Sequence, residues 1–172
     1  MTEPIHPRIF WILEPETAPG RLGMMPRPQE GNKLEDDIKG LKAQGVDLVV
    51  CLLEDWEQRS LDLTAESRLC LVHNIEFRHF PIPDFGVPND EAAFSAFTQS
   101  LSKKLDEGKN VVVHCHGGIG RSSMAAAGIL VNRGVPIAEV FEKVSRHREH
   151  PVPETEEQAD FIMQWFRNLE RS

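Results

Sequence analysis

The chain has no tyrosine, and it has three cysteines, at positions 51, 70 and 115. Three scattered cysteines are too few for the disulfide framework that many small secreted domains carry. No stretch approaches the roughly 18 apolar residues of a membrane-spanning helix. Residues 1–7 also lack the basic start and apolar run of a signal peptide. These absences predict a cytoplasmic protein with free thiols, and they exclude regulation through a tyrosine of its own.

Positive charge is also scarce, because 27 acidic residues outnumber 19 basic ones and the formal net charge is −8. Long-range electrostatics therefore disfavours nucleic acid and anionic membrane surfaces as partners. A chain of 172 residues with 40% hydrophobic content is long enough to bury a core. We expect one domain over residues 1–172, and we assume a monomer.

The residues best suited to catalysis and anion binding are concentrated in the segment His114–Ser123, which reads HCHGGIGRSS. They follow the apolar run Val111–Val113 and precede the apolar stretch 124–131. This pattern predicts a strand, a tight glycine-rich loop and a helix. Cys115 opens the loop and Arg121 closes it six residues later. A sulfur nucleophile and a cation suited to phosphate thus stand at the two ends of one loop.

Sulfur attacks as the thiolate, and an ordinary free cysteine is only about 3% ionised at pH 7. A helix N-terminus and a neighbouring cation both stabilise a thiolate, and the sequence predicts a helix beginning near Ser122 and supplies Arg121. The glycines at 117, 118 and 120 let successive backbone N–H groups point inward as an anion-binding nest. The loop therefore predicts a phosphate site with Cys115 at its base.

These residues resemble the Cys-x5-Arg-Ser/Thr signature of the cysteine-dependent protein tyrosine and dual-specificity phosphatase superfamily. The resemblance implies that Cys115 is the nucleophile, that Arg121 binds the phosphate and the transition state, and that Ser122 eases departure of the thiolate. It also implies that His114 orders the loop. The phosphate would lie against His116, Gly117, Gly118, Ile119, Gly120 and Arg121.

The likeness covers residues about 20–170 and is greatest, in pattern, to the kinase-associated phosphatase group. It implies an α/β protein tyrosine phosphatase-like fold, with a central mixed sheet flanked by helices, and a reaction without metal or cofactor. The segment by which strictly tyrosine-specific enzymes recognise phosphotyrosine is not evident. We therefore expect a phosphorylated protein as substrate, carrying phosphotyrosine and also phosphoserine or phosphothreonine.

A second candidate lies in the proline-rich segment 80–88, which reads FPIPDFGVP. An aspartate in such a turn ordinarily bonds to nearby backbone. The resemblance, however, implies a general acid about thirty residues before the nucleophile, and Asp84 lies 31 residues before Cys115. We take Asp84 as the acid. Asp90 is the alternative, although its place after Asn89 suits a helix cap better.

Two further side chains have open interpretations. Thr155 and Gln158 fit a capping box at the start of the last helix, whereas the resemblance implies a glutamine near the hydrolytic water. Cys51 ends the apolar run 46–51, and the resemblance places that strand beside residues 111–113. Cys51 is either an inert core residue or the partner of a reversible disulfide with oxidised Cys115.

Other classes of function stay open. Cys-x5-Arg loops also serve sulfur transfer and arsenate reduction, but the Asp84 loop argues against the first and the late position of the Cys loop against the second. A non-catalytic phosphopeptide-binding module is the third possibility, and the intact Cys115 and Arg121 weigh against it. A metal bound by the adjacent His114, Cys115 and His116 is disfavoured because side chains alternate along a strand.

The remaining pattern predicts the other elements. Residues 146–150, rich in arginine and histidine, indicate a solvated helix end or a basic rim over the cleft. Strands are expected around 8–13, 21–25, 46–53 and 75–80, and helices around 34–45, 64–72, 89–108, 122–133, 137–144 and 155–169.

Overall fold

The computed structural model describes residues 6–13 and 19–172, so most of the segment that lacks a signal-peptide pattern lies outside it. Within this part the chain forms a five-stranded mixed sheet and seven α-helices, which confirms the α/β class. None of these helices is both long and apolar enough to cross a bilayer. The strands are β1 (Phe10–Leu13), β2 (Leu22–Met25), β3 (Leu48–Cys51), β4 (Glu76–His79) and β5 (Val111–His114). The helices are α1 (Leu34–Ala43), preceded by a 3-10 turn at Gly31–Lys33, α2 (Asp55–Ser60), α3 (Glu66–Val72), α4 (Glu91–Asp106), α5 (Gly120–Asn132), α6 (Val140–Arg148) and α7 (Glu156–Glu170).

The sheet has the order β1-β2-β5-β3-β4. β1 is antiparallel to β2, whereas β2, β5, β3 and β4 run parallel. The carboxyl ends of four strands therefore meet at one edge, which is where open α/β sheets bind ligands. β5 lies in the middle of the sheet, and the Cys loop leaves from its carboxyl end.

Side chains of the central strands alternate between two hydrophobic clusters. Val111 and Val113 contribute to the α5 cluster, which contains the buried face of α5, whereas Val112 contributes to the α1 cluster, which contains Ile38 of α1. A strand buried on both faces is a nearly continuous apolar run, as β3 is and as β5 is up to His114. The helix α5 is buried over nearly its whole length, as its apolar sequence predicts.

The predicted elements differ from the observed ones in two places that matter for the site. Helix α2 was not predicted, because its six residues DWEQRS include one apolar side chain, Trp56, and so have no apolar periodicity. The start of α2 is marked by a capping interaction, in which the carboxylate of Glu57 accepts a hydrogen bond from the N–H of Glu54 at 2.9 Å. Helix α5 begins at Gly120, two residues earlier than predicted, which places Arg121 and Ser122 in its first turn.

Candidate active site

The loop between β5 and α5 is bonded along its outer side. The N–H of Arg27 donates to the carbonyl of His116 at 3.0 Å. Arg148 donates from Nε to the carbonyl of Gly118 at 2.9 Å and from Nη2 to that of Gly117 at 3.2 Å. A trans peptide points its N–H opposite to its carbonyl. The N–H group that follows each of these three carbonyls is therefore turned toward the inside of the loop, as an anion-binding nest requires.

Arg148 lies on the outer side of this loop, not on a basic rim over the cleft. Its guanidinium lies 4.0 Å from the ring centroid of Phe10 and is nearly buried. Burial lowers the pKa of Arg148, since the charged form loses contact with water. Two carbonyls and an aromatic face hold the side chain there, which the charged sequence 146–150 did not indicate.

Gly118 is required by the close approach of β2. Its φ is +69°, in the left-handed region, and a Cβ at this position would lie 2.4 Å from the carbonyl oxygen of Met25. No other residue fits that combination of backbone conformation and space. The phosphate loop is therefore packed directly against the end of its neighbouring strand.

Cys115 follows β5 directly and is 1% exposed. Helix α5 starts five residues later, and its N-cap residue Ile119 supplies no side-chain hydrogen bond. The first N–H groups of a helix have no partner within the helix, so those of α5 are donors for an anion. The hydroxyl of Ser122 is buried, and none of the described residues gives it a hydrogen-bond partner. These features place unused donors and a sulfur atom in one loop.

Arg121 is 2% exposed and is held by the unpredicted helix α2. Its Nη1 and Nη2 donate to the two carboxylate oxygens of Glu57 at 2.7 and 3.0 Å. Burial is the largest single effect and opposes both charges, but the hydrogen bonds and the neighbouring charges together outweigh it. The pKa of Arg121 is therefore raised and that of Glu57 lowered from their usual values. The pair fixes the guanidinium in its charged form beside the loop.

The same guanidinium reaches the proline-rich segment. Nη2 of Arg121 donates to Oδ1 of Asp84 at 3.1 Å, and Nη1 donates to the carbonyl of Ile82 at 3.0 Å. A β-turn closed by the N–H of Gly86 and the carbonyl of Pro83 at 2.8 Å presents Asp84. The Asp84 side chain is 41% exposed. The structure thus brings the buried Arg121 into contact with the partly exposed Asp84, and both are predicted site residues.

Asp90, the alternative acid, lies at the N-terminus of α4. Its Oδ1 accepts the N–H groups of Ala92 and Ala93 at 2.9 and 3.1 Å. This geometry confirms the interpretation of Asp90 as a helix cap.

The start of α7 shows the predicted cap at Thr155. Oγ1 of Thr155 accepts the N–H of Gln158 at 3.1 Å, which confirms the cap. The Gln158 side chain does not complete the capping box. It is buried, donates to the carbonyl of Gly86 at 3.1 Å and accepts the N–H of Glu154 at 3.1 Å. Gln158 therefore ties α7 to the turn that carries Asp84, and its proximity to a hydrolytic water stays a prediction.

His114 forms a fully buried pair with Glu66 of α3, with 2.6 Å between Nε2 and Oε1. Its Nδ1 lies 3.2 Å from the carbonyl oxygen of Cys115. Burial favours neutral imidazole, but the charge of Glu66 and the thiol of Cys51 outweigh it, so the pKa of His114 is raised well above its usual value. The protonated ring therefore stands directly behind the loop.

The described residues contain one group with the spacing of a metal site, and it differs from the histidines considered from sequence. Ligand atoms of Cys51, Glu66 and His114 lie within 4.8 Å of one another. These are ligand types that Zn²⁺ accepts. The short contact between Glu66 and His114 already joins two of the three, and the second oxygen of Glu66 has no partner among the described residues.

Cys51 and Cys115 lie on different faces of the sheet. Cys51 belongs to the α1 cluster and Cys115 to the α5 cluster. The strand pairing places Cys51 beside His114, whose side chain it contacts. A disulfide between the two cysteines stays a prediction.

The buried pair predicts a pH-dependent stability. The pKa of His114 in the folded state exceeds its unfolded value of about 6.5, so the stabilisation is complete below that pH and is lost as pH rises through the folded-state pKa. We expect Glu66→Gln to lower the free energy of unfolding by about 3 kcal/mol at pH 6 and by less at pH 9. Urea unfolding at several pH values measures this difference. The matched control is Glu35→Gln, which removes the carboxylate of a surface pair with His73 and should change stability little at any pH. A loss that is the same at both pH values for Glu66→Gln would contradict the account.

The sequence analysis did not predict the contacts that four residues make with the loop or with its neighbours: Glu57, Glu66, Arg148 and Glu154. Glu57 had a usable signal, because an acidic segment directly after the buried strand β3 lies at the carboxyl edge of the sheet. Glu154 adjoins the segment that was considered for Thr155. Glu66 and Arg148 act through tertiary contacts, and nothing in their local sequence indicates this.

Comparisons with known proteins agree with this geometry. Residues 22–135 match the protein-family model described as "Polymorphic toxin system, DSP-PTPase phosphatase". Curated relatives include cyclin-dependent kinase inhibitor 3 of Sus scrofa, 30% identical over 98 residues, and that of Rattus norvegicus, 28% identical over 98 residues. Each match covers 57% of this chain and 46% of the relative. The chain therefore spans about half the length of the curated relatives it matches.

Solved structures share the whole fold. Kinase-associated phosphatase, crystallised with its catalytic-site cysteine replaced by serine, superposes with a TM-score of 0.87 at 22% identity and covers 100% of this chain and 99% of its own. Tk-PTP in its active form gives a TM-score of 0.71 at 28% identity, with 96% and 98% of the two chains covered. The likeness confirms the expected protein tyrosine phosphatase-like fold.

Proposed function

The chain belongs to the DSP-PTPase phosphatase family of polymorphic toxin systems, and on that premise we propose that it hydrolyses phosphate monoesters of proteins through a phosphocysteine intermediate. One observation carries the proposal. The N–H groups that follow the carbonyls of His116, Gly117 and Gly118 face the inside of the loop that Cys115 opens. The guanidinium of Arg121, which closes this loop, donates to Asp84 at 3.1 Å. A nucleophile, an anion site and an acid thus converge at one edge of the sheet.

In the first step, Cys115 Sγ attacks phosphorus and the bond from phosphorus to the ester oxygen breaks. Arg121 has five N–H donors, and in the free protein one of them binds Asp84. A phosphate entering the loop competes for that donor. Asp84 is then released from Arg121, takes up a proton from the solvent and gives that proton to the departing oxygen. Glu57 keeps the guanidinium oriented throughout, because its two carboxylate oxygens bind both Nη1 and Nη2.

In the second step, water attacks the phosphorus of phosphocysteine and the bond between sulfur and phosphorus breaks. Asp84, now ionised, accepts the proton of the water. Sulfur leaves as a thiolate, and the unused hydroxyl of Ser122 is the donor that stabilises it. Inorganic phosphate leaves, and the side chains return to their starting protonation states.

The substrate is a phosphoprotein in this proposal. The net charge of −8 and the absence of lysine from the Cys loop do not favour polyanionic lipids or nucleic acids. Phosphotyrosine, phosphoserine and phosphothreonine are all candidates. The names of the similar proteins cyclin-dependent kinase inhibitor 3 and kinase-associated phosphatase refer to kinases, so a phosphorylated kinase is a first substrate to test. A reducing compartment such as the cytoplasm would keep the thiol free.

Hydrolysis of p-nitrophenyl phosphate tests the activity. We expect turnover that orthovanadate inhibits and that EDTA leaves unchanged, since no step uses a metal. Transfer of sulfur from thiosulfate to cyanide, or thiol-dependent reduction of arsenate, without ester hydrolysis would assign the loop to another thiol enzyme. Binding of phosphopeptides without cleavage would make the protein a recognition module.

A further inference from the structure

Glu154 holds one donor of the phosphate loop. Its Oε1 accepts the N–H of Gly120 at 3.0 Å. Gly120 is the last glycine of the loop and the first residue of α5, so its N–H is one of the donors that the helix leaves unpaired. In the free protein a carboxylate therefore occupies a position that an oxyanion would use.

Two neighbouring residues, Gly120 and Gln158, favour the contact between Glu154 and the loop. Gly120 leaves the space, because a Cβ there would lie 2.4 Å from Oε1 of Glu154 and 2.9 Å from Oε1 of Gln158. The buried Gln158 accepts the backbone N–H of Glu154 at 3.1 Å, which fixes where the Glu154 side chain begins. The carboxylate itself is at the surface and is free to swing into water.

We propose that Glu154 is a specificity-determining residue that competes with phosphate for the N–H of Gly120. This inference rests on the proposed function, since it takes the loop to be the phosphate site. The N–H of Gly120 cannot form a full hydrogen bond with a carboxylate and with a phosphoryl oxygen at the same time. Two anions that both lie next to this N–H also repel each other. Phosphate therefore displaces Glu154, and the displacement weakens binding.

The competition bears on the class of substrate. Inorganic phosphate and small esters bind through the loop alone, so nothing offsets the loss of the Glu154 contact. A phosphoprotein makes further contacts outside the loop, and these offset it. The site thus binds its product weakly and depends on the protein part of its substrate.

The charge of Glu154 is tested by Glu154→Gln, which keeps an oxygen for the N–H of Gly120. The inhibition constant of inorganic phosphate and the KM for p-nitrophenyl phosphate should both fall about tenfold at constant ionic strength, since the repulsion is lost. Glu154→Asp keeps the charge but withdraws it by one methylene, and should give intermediate values. The matched control is Glu156→Gln in the first turn of α7, an exposed carboxylate that makes the same change in net charge. It should leave both constants within about twofold of the wild type, because screened surface charges act weakly.

The outcomes separate this inference from the proposed function. Equal inhibition constants for Glu154→Gln and the wild type, in an active enzyme, overturn the competition alone. A fall in kcat with an unchanged inhibition constant also overturns it, because Glu154 would then act on the reacting atoms. If Glu154→Gln does not fold, Glu154→Asp takes its place. An inhibition constant of inorganic phosphate for Glu154→Asp that is equal to or higher than that of the wild type likewise overturns the competition. A wild type that neither hydrolyses esters nor binds phosphate overturns both proposals.

Discussion

Cys115→Ser is expected to lose turnover of p-nitrophenyl phosphate by about 10⁴-fold or more, as the loss of a nucleophile does in other covalent mechanisms. A serine hydroxyl is not ionised at neutral pH, so it is a much weaker nucleophile than the thiolate of Cys115. The inward N–H groups and Arg121 remain, so the variant should still bind inorganic phosphate. Initial rates and isothermal titration calorimetry measure the two properties on one preparation.

The matched control is Cys70→Ala. The thiol of Cys70 belongs to the α1 cluster, on the other face of the sheet, and burial raises its pKa to about 12. Its removal should cost stability through lost packing but leave the specific activity of the folded protein near that of the wild type. Turnover by Cys115→Ser within tenfold of the wild type would remove sulfur from the mechanism.

Asp84→Asn is expected to lower kcat by about 10²- to 10⁴-fold on a phosphotyrosine peptide, because an amide has no proton to give the departing oxygen. The loss should be smaller on p-nitrophenyl phosphate, whose leaving group departs without much help. The amide still hydrogen-bonds, and Glu57 still orients Arg121, so phosphate binding should persist. Rates on the two substrates measure the difference.

Asp90→Asn makes the identical chemical change six residues further on and is the control. Asparagine caps a helix as well as aspartate does, so α4 should keep its cap and the enzyme its rate. Equal losses on the good and the poor leaving group in Asp84→Asn would point to damage of the Arg121 contact. A loss in Asp90→Asn instead would move the acid to that position.

The strand, loop and helix around Cys115 could be predicted because three signals agree there. An apolar run, a cluster of glycines and a second apolar stretch each have a local physical cause. For Asp84 the prolines predict only a turn. Its choice as the acid came from the resemblance, which implies an aspartate about thirty residues before the nucleophile. Short segments of sequence are therefore enough to predict these elements.

The charged residues that hold the site together are far apart in the sequence. Glu57 meets Arg121 across 64 residues, and Glu154 meets Gly120 across 34. Each carboxylate stands in a polar segment that reads as an ordinary surface. Which of the chain's 27 acidic residues faces a guanidinium or a loop amide depends on the packing of α2 and α7 against the sheet edge. Periodicity does not encode that choice.

The most direct test of the account follows the phosphoryl group itself. Wild type and Ser122→Ala are mixed with a phosphotyrosine peptide, quenched in acid during turnover, digested and analysed by mass spectrometry. We predict a phosphoryl adduct on the peptide that carries Cys115, more abundant in Ser122→Ala because the departure of sulfur is slower. Continued turnover without any such adduct, or an adduct on a different side chain, would contradict the central role of this sulfur.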